Sequence, residues 1–277
     1  MATIGTGTQV ILAPTGLGHL WLEQDVATVA ARKAVRSLVA TVGKRNSEHF
    51  LFENAEDPSI FGLNAGNAAK VTLVGGAGVA PEPFAPLPAS PPMRVAVVAR
   101  MTAPKGISPV VEAVRRLRQT GRDIRLDLYG MPDFANRRSI PEATLRNWGN
   151  VEGITWHGHT NDVRKVWSTT HVAALLSWRE GLPRGLVEAM AFGRPIVTTD
   201  VAGCRELVRD GIEGFLVPVE SVDATAMSLQ ALYDDAALRE AMGRASKARF
   251  EERFTEVAVQ AVITDLYQRR LRRLPST

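Results

Sequence analysis

Residues 94–129 read RVAVVARMTAPKGISPVVEAVRRLRQTGRDIRLDLY, and this stretch best predicts the fold. An apolar, β-rich run (94–99) is followed by a loop with proline and glycine, an apolar pattern at helical spacing (110–118) and a second apolar run (124–129). A strand, a helix and a strand in succession are the unit of a parallel sheet covered by helices. Further apolar runs lie at Ile154–His157, Val172–Ser177, Pro195–Thr199 and Gly214–Val217, with a helical pattern at Leu186–Phe192. Residues 93–255 are therefore predicted to form one Rossmann-like domain.

The preceding segment repeats this pattern on a smaller scale. Its predicted elements are strands at Gln9–Ala13, His49–Phe52 and Lys70–Val74 and a helix at Gln24–Val42. Six prolines in residues 81–92 leave no room for a helix or a central strand. We therefore predict an α/β chain of two Rossmann-like domains, in which a proline-rich linker joins a small or incomplete first domain (1–80) to the larger one. The last segment (256–277) contains a predicted helix, Glu256–Arg273, which is long enough to cross back to the first domain.

The composition excludes several classes of protein. The chain has 277 residues, and its 33 Lys and Arg exceed its 29 Asp and Glu by only four, so charge alone does not predict a nucleic-acid partner. Its single cysteine, Cys204, cannot form an intramolecular disulfide. The first basic residue is Arg32, and no apolar run is long enough for a membrane span. The chain is therefore predicted to be cytoplasmic.

Residues 177–191, SWREGLPRGLVEAMA, predict a ligand site where a strand ends and a helix begins. Gly181 and Gly185 let a ligand approach the backbone, and Pro183 suits a first helical turn. The free N–H groups of such a turn bind phosphate. Glu180 and Glu188 carry carboxylates, which accept hydrogen bonds from sugar hydroxyls. The segment is therefore expected to bind a ligand with both a phosphate and a sugar.

A second candidate site follows the first strand of the larger domain, where Arg100 and Lys105 flank a short loop. If both cations face the same diphosphate, they can neutralise it without a metal ion. The sequence has no Asp-x-Asp pair and no Cys/His cluster with the spacing of metal ligands. No metal and no other cofactor is therefore predicted. Taken singly, each of Arg100, Lys105 and Glu180 would more often be a solvated surface charge.

These residues resemble the retaining GT-B glycosyltransferases of family 4, the glycosyl transferases group 1. The family's Glu-x7-Glu signature is matched by Glu180 and Glu188, and its Arg-x4-Lys-Gly segment by Arg100, Lys105 and Gly106. The resemblance covers roughly residues 93–270. Within the first domain, residues 15–19 and 52–57 look like the second half of the family's acceptor domain, especially in enzymes that build lipid-linked surface polysaccharides.

The resemblance implies a role for each matched residue. Arg100 and Lys105 hold the diphosphate of a nucleotide-diphosphate sugar, Glu188 the ribose, and Glu180 the transferred sugar, so Glu180, Arg100 and Lys105 form the expected catalytic set. Backbone contacts are expected from Gly181, Leu182, Gly185 and Leu186, and walls of the base pocket from Gly130, His157 and Gly158. Gly16, Gly18 and His19 are expected on the acceptor side, although His19 could also be an ordinary polar loop residue.

The family transfers the sugar with retention of configuration to a glycan or a polyprenyl-linked acceptor, and UDP is the expected carrier. Arg269, Arg270, Arg272 and Arg273 could contact anionic lipid at the inner face of the membrane, or could form a solvated tail.

Two alternatives remain open at this stage. One is a nucleotide-sugar epimerase or a phosphorylase of similar architecture, and the other is a donor-binding remnant without transferase activity. The second is favoured by the short first domain, because the resemblance to the second half of the family's acceptor domain implies that about eighty further residues belong in front of it. We therefore expect this polypeptide to bind donor better than it transfers sugar, since transfer needs both domains closed around the ligand.

Overall fold

The computed structural model describes residues 9–14, 25–42, 48–83, 87 and 90–272, whose strands form two separate parallel sheets. The first sheet has the order β1-β2-β3, with β1 (Val10–Leu12), β2 (Glu48–Phe52) and β3 (Val71–Leu73). The second has the order β6-β5-β4-β7-β8-β9. Its strands are β4 (Met93–Val98), β5 (Ile124–Tyr129), β6 (Ile154–Gly158), β7 (Val172–Leu175), β8 (Ile196–Thr199) and β9 (Gly214–Val217).

Helices connect the strands and cover the sheets. They are α1 (Val26–Val42), α2 (Asp57–Ile60), α3 (Ile107–Gln119), α4 (Glu142–Gly149), α5 (Val163–Ser168), α6 (Arg184–Ala191), α7 (Ala202–Leu207), α8 (Val222–Asp234), α9 (Ala236–Arg253) and α10 (Glu256–Leu271). Five of them begin after a side-chain cap, in which the oxygen of Asp25, Asp162, Ser221, Asp235 or Thr255 accepts the backbone N–H three residues later. No helix among the described residues is both long and apolar enough to cross a membrane.

The second sheet is buried on both faces, which explains its continuous apolar strands. One face packs against Val110 and Leu117 of α3 and Leu229 of α8. The other face packs against Val187 of α6 and Phe250 of α9. Strands β5 and β9 have the predicted bounds, whereas β7 ends at Leu175, two residues earlier than predicted, because the chain leaves the sheet there to form the loop before α6.

Gly106 joins β4 to α3 in a conformation that requires glycine. Its φ angle is +65°, and a Cβ at this position would lie 2.0 Å from the Leu176 carbonyl oxygen. The loops after β4 and β7 can approach each other this closely only because residue 106 has no side chain. Gly106 was matched to the Arg-x4-Lys-Gly segment in the sequence, and the structure gives the physical reason for a glycine there.

The linker and the last helix join the two sheets. The Lys247 ammonium in α9 donates to the Glu82 carbonyl of the linker and, at 2.8 Å, to the Ala191 carbonyl at the end of α6. Val79 pairs with Thr255 immediately before α10. At the far end of α10, burial lowers the pKa of Lys70, and the nearby charge of Arg270 lowers it further while Glu48 opposes the shift. The last helix therefore reaches from the second sheet to the first.

The position of α10 corrects one expectation about the C-terminal arginines. Arg270 is only 4% exposed, so it cannot take part in an arginine patch that contacts lipid headgroups. Arg269 is paired with Asp265 at 2.7 Å, and Arg273 lies outside the described residues. The expectation failed for Arg270 because docking of α10 onto neighbouring segments buries one side of its last turn.

Candidate functional site

The order of the second sheet reverses at its centre. From β4 the chain adds β5 and β6 on one side, and it then returns to add β7, β8 and β9 on the other. Open parallel sheets bind ligands outside the carboxyl ends of the strands at such a reversal. The loops after β4 and β7 meet there, where the Trp178 N–H donates to the Pro104 carbonyl at 2.9 Å. The two predicted motifs therefore lie at one edge of the sheet.

A cavity of about 520 Å3 opens at this edge. Its walls come from the segments that follow β4, β5 and β6 and from the first turns of α6. Four of the predicted site residues line it, namely Arg100, Gly130, Gly185 and Glu188. This cavity is large enough for a substantial part of a nucleotide, since ligand pockets begin at about 300 Å3.

Two ion pairs are formed by residues that line the cavity. Arg100 donates to the Asp133 carboxylate at 2.6 Å, and Arg184 donates to the Glu188 carboxylate at 2.9 Å. The side chains of both arginines are more than 60% exposed, whereas that of Glu188 is only 15% exposed. Sequence reasoning missed Asp133 and Arg184, because neither belongs to a matched motif position. A ligand phosphate that engages Arg100 must compete with Asp133.

Lys105 and Glu180 pair with each other across the reversal point. The Lys105 ammonium forms an ion pair with Oε1 of Glu180, and the Ser177 hydroxyl donates to the same oxygen at 2.6 Å. Both side chains are largely buried. Glu180 is thus held in one orientation by a cation from the loop after β4 and a hydroxyl from its own loop. Arg100 and Lys105, predicted to face one diphosphate, each pair with a different carboxylate.

The beginning of α6 presents backbone donors without protein partners. Among the described residues, no acceptor is found for the N–H groups of Leu182, Arg184 and Gly185. The Leu186 N–H, in contrast, donates to the Pro183 carbonyl at 3.0 Å. Free N–H groups and the positive end of a helix dipole favour an anion at this position. Leu182 and Gly185 can thus provide the expected backbone contacts, whereas the Leu186 N–H is already engaged and its side chain is buried.

The residues predicted as walls of a base pocket occupy two neighbouring cavities. Gly130 lines the 520 Å3 cavity, and its N–H donates to the Gly158 carbonyl at 2.7 Å. His157 lines an adjoining cavity of about 440 Å3. Its ring stacks on Tyr129 at 4.4 Å, and its Nε2 lies 2.7 Å from the Asp127 carboxylate. Tyr129 borders both cavities. The structure does not place His157 or Gly158 among the residues that line the larger cavity.

The acceptor-side residues Gly16, Gly18 and His19 lie outside the described residues. The described part of the first domain, called the first unit below, as the second domain is called the second unit, instead places the carboxyl of Glu53 close to the start of α6. It lines a cavity of about 170 Å3 together with a glycine-rich turn (75–78), Leu182 and Arg184. Burial raises the pKa of Glu53 above its ordinary value of 4.5, and the charges of Asp57 and Glu180 raise it further. Residues 52–57 resemble the family's acceptor domain, but no signal in the sequence singled out Glu53.

Replacing Glu53 by glutamine is expected to stabilise the chain at neutral pH. Because the folded state holds the Glu53 proton more tightly than the unfolded chain, stability falls as the pH rises from 4.5 through the raised pKa. Glu53→Gln removes this loss, so its melting temperature should exceed that of the wild type at neutral pH. Below the ordinary pKa the two should melt together. An equal difference at both pH values would show that the effect has another cause.

Two further features of the described residues concern metal ligands and the single thiol. In the described part of the chain, no group of three or more His, Cys, Asp and Glu side chains is arranged to hold a metal ion. Burial raises the pKa of the Cys204 thiol to about 12, despite its hydrogen bond from Thr198. A buried thiol with such a pKa does not act as a nucleophile at neutral pH.

Comparison with known proteins gives a matching family and several relatives. Residues 92–235 match the model of a family described as glycosyl transferases group 1. The chain is 25% identical over 173 residues to the capsular polysaccharide biosynthesis glycosyltransferase CapM of Staphylococcus aureus, covering 62% of this chain and 45% of CapM. It is 31% identical over 191 residues to alpha-maltose-1-phosphate synthase of Mycobacterium tuberculosis, covering 64% of this chain and 48% of that protein. The chain spans about half the length of these relatives.

A solved structure supports the fold over nearly all of the chain. HepE of Anabaena, crystallised in complex with UDP, superposes with a TM-score of 0.80 at 17% identity, covering 97% of this chain and 74% of HepE. At this level of identity the likeness concerns the fold. It confirms the predicted α/β architecture with two Rossmann-like units of the GT-B type.

Proposed function

This chain belongs to the glycosyl transferases group 1 family, and from that premise we propose that it binds a nucleotide-diphosphate sugar and transfers the sugar to a glycan or polyprenyl-linked acceptor. The observation that carries the proposal is the arrangement at the reversal point of the second sheet. There, Arg184, Gly185 and Glu188 of α6 line a cavity of about 520 Å3, and the Lys105–Glu180 pair joins the loops after β4 and β7 at the same edge of the sheet. Groups suited to phosphate and groups suited to sugar hydroxyls are thus found at one edge of the sheet.

Each group has a proposed role that follows from its surroundings. Glu188, whose carboxylate lines the cavity, binds the ribose hydroxyls. Arg100 and the α6 N–H groups bind the diphosphate, and Lys105 reaches it from beside Glu180. Glu180 binds a hydroxyl of the transferred sugar through the carboxylate oxygen that Ser177 and Lys105 leave unoccupied. The catalytic set is therefore Arg100, Lys105 and Glu180.

The proposed chemistry depends on stabilising a leaving group. As the bond between the sugar and the diphosphate breaks, negative charge grows on the phosphate oxygens. Arg100, Lys105 and the N–H groups of α6 compensate that charge, and we propose that they do so without a metal ion. The acceptor oxygen then bonds to the anomeric carbon as its proton passes to the departing phosphate. Attack from the face that the diphosphate leaves retains the anomeric configuration.

We also propose UDP as the carrier and the cytoplasm as the location. The complex of HepE with UDP supports the choice of UDP. The part played by the S. aureus relative in capsular polysaccharide synthesis supports a surface glycan or its polyprenyl-linked precursor as the acceptor. Such an acceptor lies at the inner face of the membrane, where peripheral contact of this chain is proposed.

The proposal is tested in two steps. Calorimetric titration with UDP, GDP and their glucose and mannose conjugates identifies the carrier, and incubation of the best donor with a polyprenyl-linked sugar then measures transfer. Binding followed by formation of a longer glycan supports the full proposal. Binding without transfer supports a donor-binding protein instead, and the absence of binding rejects the assignment of the site.

The two motif carboxylates are expected to respond to different parts of the donor. Glu188→Gln should weaken binding of UDP by about 1–2 kcal/mol, because a charge-assisted hydrogen bond is lost. Glu180→Gln should leave UDP binding unchanged and weaken binding only of the UDP-sugar. The measurement is the ratio of the two dissociation constants for each variant. Normal binding of both ligands by both variants would refute the assigned roles.

A further inference from the structure

The loop that carries Glu180 is held from outside its own domain by Asn54. This residue follows β2 of the first sheet and is fully buried. Its amide nitrogen donates to the Gly181 carbonyl at 3.0 Å and to the Asp57 carboxylate at 2.9 Å. Its amide oxygen accepts the N–H groups of Glu56 and Asp57. Because both ends of the amide are engaged, Asn54 fixes the Gly181 carbonyl in one direction.

Asp57 forms a second contact between the same two segments. Its side chain is 4% exposed, and its Oδ1 accepts a hydrogen bond from Arg179 at 2.6 Å. Arg179 immediately precedes Glu180 in the chain. A buried ion pair of this kind is costly to break, since the remaining charge then lacks a partner. The residues on both sides of Glu180 are therefore tied to the first unit, Arg179 through its side chain and Gly181 through its carbonyl.

Gly203 supports this loop from behind. A Cβ at Gly203 would lie 2.3 Å from the Gly181 carbonyl oxygen and 2.7 Å from the Glu180 carbonyl oxygen. The start of α7 therefore packs directly against these two peptides. Together with Asn54 and Asp57, it leaves the loop little room to move away from the first unit.

The contacts also determine where the loop presents its functional groups. The carbonyl and the N–H of one trans peptide point in opposite directions. Since Asn54 holds the Gly181 carbonyl, the Leu182 N–H of the same peptide points away from Asn54. The Glu180 carboxylate is meanwhile held by Ser177 and Lys105. A shift of the Gly181 peptide would therefore move the Leu182 N–H and, through the adjoining residue, the Glu180 carboxylate.

We propose that Asn54 and Asp57 are positioning residues for the sugar end of the donor, so that binding of the sugar depends on docking of the first unit. This inference rests on the proposed function. Glu188 is assigned to the ribose and Arg100 to the diphosphate. Both residues lie in the second unit and contact neither Asn54 nor Asp57. Loss of the Asn54 and Asp57 contacts therefore weakens binding of the sugar more than binding of the nucleotide, which loses at most the Leu182 N–H and keeps Arg100, Glu188 and the N–H groups of Arg184 and Gly185.

The chain offers a matched control in the same segment. Glu56 lies between Asn54 and Asp57 and pairs with Arg205 of α7 at 2.6 Å. This pair also joins the two units, but it is exposed and does not touch residues 179–182. Exposed ion pairs contribute little to stability. Glu56→Gln thus removes a contact between the units without releasing the Glu180 loop.

The test compares Asn54→Asp, Asp57→Asn and Glu56→Gln with the wild type. Asn54→Asp keeps both acceptor bonds to the backbone but cannot donate to Gly181. Asp57→Asn keeps an oxygen for Arg179 but removes the charge, and it provides the test if Asn54→Asp does not fold. Each protein is titrated with UDP and with whichever of UDP-glucose, UDP-galactose and UDP-N-acetylglucosamine the wild type binds most tightly.

The expected result is a change in the ratio of the two dissociation constants. For Asn54→Asp and Asp57→Asn, binding of the UDP-sugar should weaken at least fivefold, while binding of UDP stays within twofold of the wild type. Glu56→Gln should change neither. An unchanged ratio in folded Asn54→Asp and Asp57→Asn, or an equal loss for both ligands, overturns the inference while leaving the proposed function intact. Failure of the wild type to bind either ligand overturns both.

Discussion

Replacing Arg100 or Lys105 by alanine is expected to weaken binding of a nucleoside diphosphate by roughly 1.5–3 kcal/mol for each residue, about 10- to 150-fold. Each side chain supplies a charge-assisted hydrogen bond to the diphosphate under the proposed function. Arg100 should lie at the lower end of this range, because its side chain is 65% exposed and it already pairs with Asp133. Lys105 should lie at the upper end, because its side chain is only 21% exposed.

The measurement is a titration with UDP, in chelator, beside a titration with uridine. Uridine has no phosphate, so its dissociation constant, although higher than that of UDP, should be unchanged by both substitutions. Arg115→Ala is the control for net charge, since Arg115 is an exposed residue of α3 that pairs with Glu112. Equal losses for UDP and uridine would indicate damage to the fold. If the wild type does not bind UDP in chelator, a metal ion is needed, and these side chains do not compensate the diphosphate charge by themselves.

Replacing Gly106 by alanine is expected to lower the free energy of unfolding by more than about 3 kcal/mol, the largest stability effect we predict. A left-handed backbone costs a residue with a side chain about 1–2 kcal/mol. The new Cβ would in addition lie 2.0 Å from the Leu176 carbonyl oxygen, so the loops after β4 and β7 would have to separate. Urea denaturation measures the loss.

Gly121→Ala separates the two contributions to that loss. Gly121 also has a positive φ, +86°, but a Cβ there would meet no atom within 4 Å. Its substitution should therefore cost only the backbone strain of about 1–2 kcal/mol. If both variants lose the same stability, close approach of the two loops is not what requires glycine at position 106.

Much of the second domain could be predicted because its signals are local. Strands β5 and β9 were predicted with their observed bounds, since a buried parallel strand is a continuous apolar run wherever it occurs. Gly106, Glu180 and Glu188 were identified by residue type and spacing within short motifs. The place of these motifs at one edge of the sheet also followed, because the carboxyl ends of parallel strands share an edge.

The pairing of charged groups could not be predicted in this way. Arg100 and Lys105 were expected to face one ligand, yet the first pairs with Asp133 and the second with Glu180, 75 residues along the chain. Arg270 was expected to be available to lipid and is buried. No local pattern distinguishes a paired or buried arginine from a free one, since burial depends on which segments pack together.

The amino-acid sequence by itself determined the alternation of strands and helices in the second domain and the residue types at the proposed donor site, because these depend on periodicity and spacing along the chain, and its short motifs pointed to the family by resemblance. Only the tertiary structure decided how the first unit contacts the loop of Glu180. Asn54 and Asp57 contact Gly181 and Arg179 across more than 120 positions of sequence. Such contacts form only when the two units pack against each other, because segments so far apart in sequence are brought together by folding.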